Sequence, residues 1–187
     1  MYFESDYDKR EFLGREALIE LKNKYPKIFP FPIFFATDKF SPYDACFIKT
    51  DDHGTILQRV KIEIKIRDRV FPDYILEPRK LKSIRKNCDY LNDDEVTILY
   101  LNFTPENTII WNITDMDSQD STKLMANKAT SDSRTNKVNK DVIMLNPEDG
   151  IRLNYIIDPE KIIREHKSKE LKKKEVKTKL KNKGINW

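Results

Sequence analysis

Two carboxylates and a lysine in this sequence could act together on a phosphate ester. Asp44 lies in the otherwise apolar stretch 43–48, and Glu63 and Lys65 lie two residues apart in the alternating stretch 56–69. Carboxylate oxygens suit Mg²⁺, which polarises a phosphate and lowers the pKa of a bound water. A neighbouring ammonium would steady that water or the developing negative charge. The three residue types therefore predict metal-dependent phosphoester chemistry, provided that the fold brings them together.

Each of the three residues also has a simpler explanation. A carboxylate inside a core strand is costly unless a cation pairs with it, so Asp44 either has such a partner or faces solvent at a strand end. Glu63 and Lys65 fit any half-exposed strand, in which charged and apolar residues alternate. The joint arrangement, rather than any single residue, is what favours chemistry.

A hairpin is expected to position these residues. Residues 51–54 read Asp-Asp-His-Gly, a typical tight-turn sequence between two strands. In the strand that follows, Ile62 and Ile64 alternate with Glu63 and Lys65. Residues two apart share a face, and antiparallel pairing can place Asp44 opposite Glu63. The sequence therefore predicts that the three side chains converge on one face of a sheet.

The remaining elements are predicted from periodicity and from turn residues. We expect a helix over 9–25, an edge strand or extended connection over 28–35, a short basic helix over 79–88, and strands over 96–103, 107–113, 142–145 and 151–157. The polar stretch 114–140 predicts a long mobile loop. Residues 1–158 are expected to form one domain, followed by a basic helical tail over 159–187.

The order of these elements around the motif resembles the PD-(D/E)xK nuclease superfamily. The matching residues are Ser41-Pro42-Tyr43-Asp44, then a hairpin, then Ile62-Glu63-Ile64-Lys65 and a helix; a tyrosine separates the proline from the aspartate. The resemblance covers residues 9–113. It implies an α/β (α+β), restriction-endonuclease-like core of helix, three-stranded meander, helix and strand, with a mixed β-sheet flanked by helices. The long stretch 56–69 would have to bend or supply two meander strands, and the C-terminal strands and basic tail are additions.

The resemblance also implies an activity and a set of site residues. The chain would be a Mg²⁺- or Mn²⁺-dependent endonuclease acting on DNA, with Asp44 and Glu63 as metal ligands and Lys65 as the catalytic lysine. Many members carry a further glutamate on the first helix, for which Glu16 is the best match and Glu20 a rival. Basic residues near the motif are the candidate phosphate contacts: Arg67, Arg69, Arg79, Lys80 and Arg85. By analogy, the small size and the tail suit a phage or mobile-element nuclease, and a homodimer would supply two sites for two strands.

Composition limits the other possibilities. The 187 residues carry a net charge of +4, which divides into +7 for residues 160–187 and −3 for the rest. Such a tail suits a polyanion such as DNA, or is simply a solvated helix. Cys46 and Cys88 predict reduced thiols in a cytoplasmic protein, and no apolar run is long enough to span a membrane. The alternatives to a nuclease are a non-catalytic nucleic-acid-binding or interaction protein and an inactive member of the same family.

Overall fold

The computed structural model describes residue 3 and residues 5–30, 32–36, 41–86, 96–127 and 137–182. Within these ranges the helices are α1 (Asp6–Lys24), α2 (Pro78–Lys86) and α3 (Pro159–Asn182). The strands are β1 (Ile33–Phe35), β2 (Ala45–Thr50), β3 (Ile56–Ile66), β4 (Tyr74–Leu76), β5 (Val96–Phe103), β6 (Thr108–Asn112), β7 (Thr122–Asn127), β8 (Lys137–Leu145) and β9 (Ile151–Leu153).

A mixed sheet in the order β1-β2-β3-β5-β6-β9 forms the centre of the described part of the chain. β1, β2 and β3 form an antiparallel meander, β5 runs parallel to β3, and β6 and β9 are antiparallel again. Parallel neighbours need a long crossover, and here it contains β4 and α2. The expected mixed α/β fold, with a mixed sheet flanked by helices, is therefore confirmed.

Apolar side chains cover both faces of this sheet. On one face, α1 and the start of α3 pack with Val60 and Ile62 of β3 into a first core. On the other face, α2 and the second sheet, β4-β8-β7, pack against β5 and β6 in a second core. The strict alternation of β3 sends Glu63 away from the first core and towards α2, where Lys61 Nζ donates to the carbonyl of Ile84.

Helix α1 lies against β3 because a glycine allows a close approach. A Cβ on Gly14 would lie 3.0 Å from Cγ2 of Ile64. The helix begins earlier than the predicted residue 9, since the Ser5 side chain accepts a hydrogen bond from the amide of Asp8 and caps its first turn. Its position fixes which α1 residues can reach the end of β3 that carries Lys65.

The predicted hairpin between β2 and β3 is confirmed. Asp51 Oδ1 accepts hydrogen bonds from the amides of His53 and Thr55, and Gly54 adopts a positive φ of 83°. The strands pair with Ala45 opposite Ile62. Next to this pair, the Asp44 amide also donates to the carbonyl of Ile62, so Asp44 lies beside the part of β3 that carries Glu63.

Several predicted boundaries were wrong. The meander takes its first strand from β1, so β3 remains a single strand and ends at Ile66 rather than continuing to residue 69. The expected loop over 114–140 contains β7 and the beginning of β8, which pair antiparallel; residues 128–136 lie outside the described ranges. Polar residues form strands here because backbone pairing supplies the hydrogen bonds while β7 side chains such as Lys123 remain exposed. Helix α2 is described as far as Lys86, and Cys88 lies outside the described residues.

Helix α3 begins at Pro159, where the sequence predicted the basic tail to begin. Ile162 is buried in the first core, and Lys161 pairs with Glu20 of α1 at 3.3 Å. Beyond this anchored start the described side chains from Lys167 onward are exposed. In the ranges that the structure describes, each helix is too short or too polar to cross a lipid bilayer.

Candidate functional site

Glu63 is the centre of the candidate site. Its side chain is 0% exposed, and two ammonium groups approach its carboxylate: Lys65 Nζ lies 2.6 Å from Oε1 and Lys80 Nζ lies 2.8 Å from Oε2. Each oxygen of the carboxylate therefore faces one positive charge at close range. A fully buried carboxylate needs such compensation, because ion desolvation costs several kcal/mol.

Asp44 lies directly before β2, on the neighbouring strand. Its amide donates to the carbonyl of Ile62, and its Oδ2 accepts a hydrogen bond of 2.6 Å from the amide of Ile64. Burial and then the negative charge of Glu63 raise the pKa of Asp44 to about 6, although the Ile64 hydrogen bond and the two lysines oppose the rise. The pKa of Asp44 therefore lies well above that of an exposed aspartate, mainly because burial disfavours its charged form.

Lys65 follows Glu63 on the same face of β3 and is 33% exposed. Burial by itself would lower the pKa of Lys65, but the Glu63 carboxylate outweighs burial and raises it above its usual value. Lys65 therefore stays positively charged at any physiological pH. A charged ammonium that reaches solvent from beside two carboxylates can contact an anionic ligand.

These groups fit a divalent cation in part. The two carboxylates supply hard oxygen ligands, and both oxygens of the buried Glu63 carboxylate are held by ammonium groups, for which a metal cation could substitute. However, the described residues contain no cluster of three or more acidic, histidine or cysteine side chains that could hold a metal. Water and phosphate oxygens would therefore have to complete the coordination of any Mg²⁺ bound by Asp44 and Glu63.

Glu16, the expected third carboxylate, lies elsewhere. Its Oε1 is 3.9 Å from Nδ1 of His166 on α3, and the rival Glu20 accepts hydrogen bonds from Tyr155 and Lys161. Gly14 packs α1 closely against Ile64 of β3, and in this orientation Glu16 and Glu20 lie beside α3. Glu16 and Glu20 consequently belong to the contact between α1 and α3.

Another face of α1 approaches the site instead. Burial raises the pKa of the Tyr7 phenol, as do the negative charges of Glu11, Asp44 and Glu63. Glu11 lies one turn beyond Tyr7 and pairs with Arg15 at 2.5 Å. The spacing of Tyr7, Glu11 and Gly14 marks this face in the sequence, since residues three and four apart share one side of a helix.

The five predicted phosphate contacts divide into three groups. Arg67 Nε donates to Asn102 Oδ1 at 2.8 Å, and Arg85 donates to the carbonyls of Thr114 and Met116, so both guanidinium groups serve the fold. Lys80 pairs with Glu63. Only two of the five, Arg69 and Arg79, are exposed within the described residues, and Arg69 lies 4.9 Å from the Phe71 ring centroid. The placement of Arg67 and Arg85 does not fit the predicted role.

Two site residues were absent from the expected catalytic set. Lys80 lies in the first turn of α2, where a positive charge opposes the helix dipole. That conflict was a usable signal, because such a lysine needs a carboxylate from elsewhere. Tyr100 lies opposite Glu63 in the parallel pairing of β3 and β5, and its hydroxyl donates to the carbonyl of Ile75. No sequence signal distinguished it from other core aromatics.

No protein-family model matches the chain, and no curated protein matches it either.

Proposed function

We propose that this protein is a metal-dependent nuclease of the PD-(D/E)xK type that hydrolyses DNA phosphodiester bonds. The observation that carries the proposal is that Asp44, at the start of β2, and Glu63 and Lys65 of β3 lie close together, with Glu63 fully buried and the Asp44 carboxylate hydrogen-bonded to the amide of Ile64. A carboxylate pair of this kind is unfavourable for stability alone, and its energetic cost is expected where a cation is to bind.

The order of elements supports the same family. Helix α1, the meander of β1, β2 and β3, helix α2 and then β5 parallel to β3 follow the core arrangement that the resemblance implies. Asp44 directly precedes the second meander strand and Glu63 lies on the third, an arrangement that agrees with the motif. The support comes from topology and side-chain placement together, because the motif is short.

Each residue has a distinct task in the proposed reaction. Asp44 and Glu63 would hold Mg²⁺ or Mn²⁺, which supplies polarisation of the phosphate and a more acidic bound water. The rigid β2–β3 pairing fixes the separation of the two carboxylates. Lys65, which remains charged, would orient the attacking water or stabilise the charge that develops on the phosphate oxygens. Arg69 and Arg79 are exposed and free to contact the DNA backbone.

A cleavage assay tests the proposal. Plasmid, linear, single-stranded and branched DNA are incubated with the protein in Mg²⁺ or Mn²⁺, with EDTA as the blank. We expect metal-dependent cleavage that Lys65→Ala lowers by about 10²–10³-fold, the usual cost of losing one group that stabilises transition-state charge. Lys49→Ala is the matched control, because Lys49 is an exposed lysine on the paired strand β2. Equal cleavage by the two variants would contradict the assignment of Lys65.

A second function has its own supporting observation. Helix α3 extends from the body with exposed lysines, including Lys169, Lys172 and Lys173, so it could hold DNA without cleaving it. The same assay separates the two functions. Absence of cleavage on every substrate, with DNA binding that survives Lys65→Ala but not truncation after residue 166, would favour the binding protein.

A further inference from the structure

Lys80 gives Glu63 a second cation from a different layer of the fold. Leu81 and Ile84 bury one face of α2 in the second core and thereby fix the helix beside β3. Lys80, at the edge of that face, is 32% exposed and lies 2.8 Å from Glu63 Oε2. Because Lys65 takes Oε1, both oxygens of the carboxylate carry an ammonium.

This arrangement balances charge in the absence of metal. Asp44, Glu63, Lys65 and Lys80 together carry no net charge when all are ionised. A divalent cation that binds Glu63 must therefore displace one ammonium from a carboxylate oxygen, and keeping both would crowd three cations around two carboxylates. Like charges at such separations repel strongly in a partly buried site.

Lys80 is the ammonium better placed to leave. Lys65 sits two residues from Glu63 on the same strand, so its backbone holds it beside the carboxylate. Lys80 reaches the carboxylate from the first turn of α2, is partly exposed, and can turn outward to solvent or to a bound anion. Its departure would also relieve the unfavourable approach to the helix dipole, which a phosphate near the start of α2 would further offset.

We propose that Lys80 is an internal counter-ion that occupies the metal's place on Glu63 and competes with the divalent cation for Oε2. This inference rests on the proposed function for the identity of the metal site. Once displaced, the Lys80 ammonium is available to a DNA phosphate, so metal and DNA bind cooperatively. Lys80 is thus a positioning residue in the metal-free protein and a phosphate contact in the complex.

Metal binding without DNA tests the competition directly. Mn²⁺ is titrated into the full chain after EDTA treatment, and free Mn²⁺ is followed by electron paramagnetic resonance. We expect Lys80→Met, which keeps the side-chain length and removes the charge, to bind Mn²⁺ at least tenfold more tightly than the unmodified protein. Lys82→Met is the matched control, because Lys82 is an exposed lysine on the same helix, and we expect its affinity to stay within about twofold.

A thermal readout separates competition from a merely structural role. Without metal, Lys80→Met should melt at a lower temperature, because Glu63 keeps only one ammonium; saturating Mn²⁺ should raise its melting temperature more than that of the unmodified protein. If Lys80→Met does not fold, Lys80→Gln replaces it, since the amide can still donate to Glu63. A folded variant with unchanged or weaker Mn²⁺ affinity overturns the inference.

The outcomes also separate this inference from the nuclease proposal. Tighter Mn²⁺ binding by Lys80→Met supports the counter-ion role even if no DNA substrate is cleaved, in which case only the nuclease proposal fails. Metal-dependent cleavage by the unmodified protein, together with an unchanged Mn²⁺ affinity in the variant, overturns the counter-ion role alone. Cooperativity is checked through DNA binding, measured by fluorescence anisotropy with and without Ca²⁺: the metal should tighten DNA binding by the unmodified protein and do so less in Lys80→Met.

Discussion

Replacing Asp44 by asparagine should stabilise the metal-free protein at neutral pH. Burial and the adjacent Glu63 carboxylate raise the pKa of Asp44 from 3.8 to about 6. One pKa unit corresponds to about 1.4 kcal/mol, so ionised Asp44 lowers the free energy of unfolding by up to about 3 kcal/mol. Asparagine is nearly isosteric and carries no charge, and its side-chain oxygen can still accept the hydrogen bond from Ile64.

The pH dependence of this effect has a definite sign. The folded state binds the Asp44 proton more tightly than the unfolded chain does, so this group's contribution to stability falls as the pH rises from about 4 to about 6 and stays low above that range. Below about pH 4 the carboxyl is protonated in both states and the contribution is complete. The stability gain of Asp44→Asn should therefore be close to zero at pH 4, grow up to pH 6 and remain constant above it.

Urea denaturation in EDTA at several pH values measures this gain as the difference in free energy of unfolding between the variant and the unmodified protein. The contributions of other titrating groups largely cancel in that difference. Asp52→Asn, an exposed hairpin carboxylate, is the control and should change stability by less than about 0.5 kcal/mol. A variant that is less stable at pH 7, or one whose gain does not change between pH 4 and pH 7, would refute the reasoning. Excess Mn²⁺ should reverse the order, because only the unmodified protein keeps both metal ligands.

Two further variants address the same site. Glu63→Gln should have the opposite sign, destabilising the metal-free protein by about 1–3 kcal/mol in urea denaturation, because Lys65 and Lys80 would lose the anion that pairs with them, while their partial exposure to solvent limits the cost; a stabilised variant would contradict this pairing. Glu16→Gln should leave Mn²⁺ affinity and DNA cleavage within about threefold, because Glu16 faces His166; a loss of tenfold or more would return it to the metal site.

Local patterns predicted the site strands well. Ile62 and Ile64 alternate with charged residues, and the turn Asp51–Gly54 precedes them in the chain. Both signals depend on a few neighbouring residues, so they predict the strands without reference to a distant partner. The β7–β8 hairpin had no such signal. The exposed side chains of β7 include the apolar Leu124 and Met125 as well as Lys123, so no regular alternation marks this strand, and its pairing with β8 supplies the structure.

The proximity of the catalytic candidates could be predicted from the sequence, because the pairing of β2 with β3 determines it. Asp44, Glu63 and Lys65 lie on two strands joined by one short turn, so local geometry brings them together. The position of Glu16 beside α3 could not be predicted, because the face that α1 presents to the sheet depends on the close approach of Gly14 to Ile64. That contact involves residues far apart in the sequence.

Lys80 shows most clearly what local patterns leave out. As one of several basic residues at the start of α2 it looked like a phosphate contact, and a positive charge there was unfavourable for the helix itself. The crossover from β3 to β5 then packs α2 over Glu63, and the same charge becomes the partner of a buried carboxylate. Lys80 is unfavourable in its own helix and is compensated by Glu63 from a different strand. Neutral side chains at positions 63 and 80 would serve folding equally well, so the charged pair is evidence of a functional site.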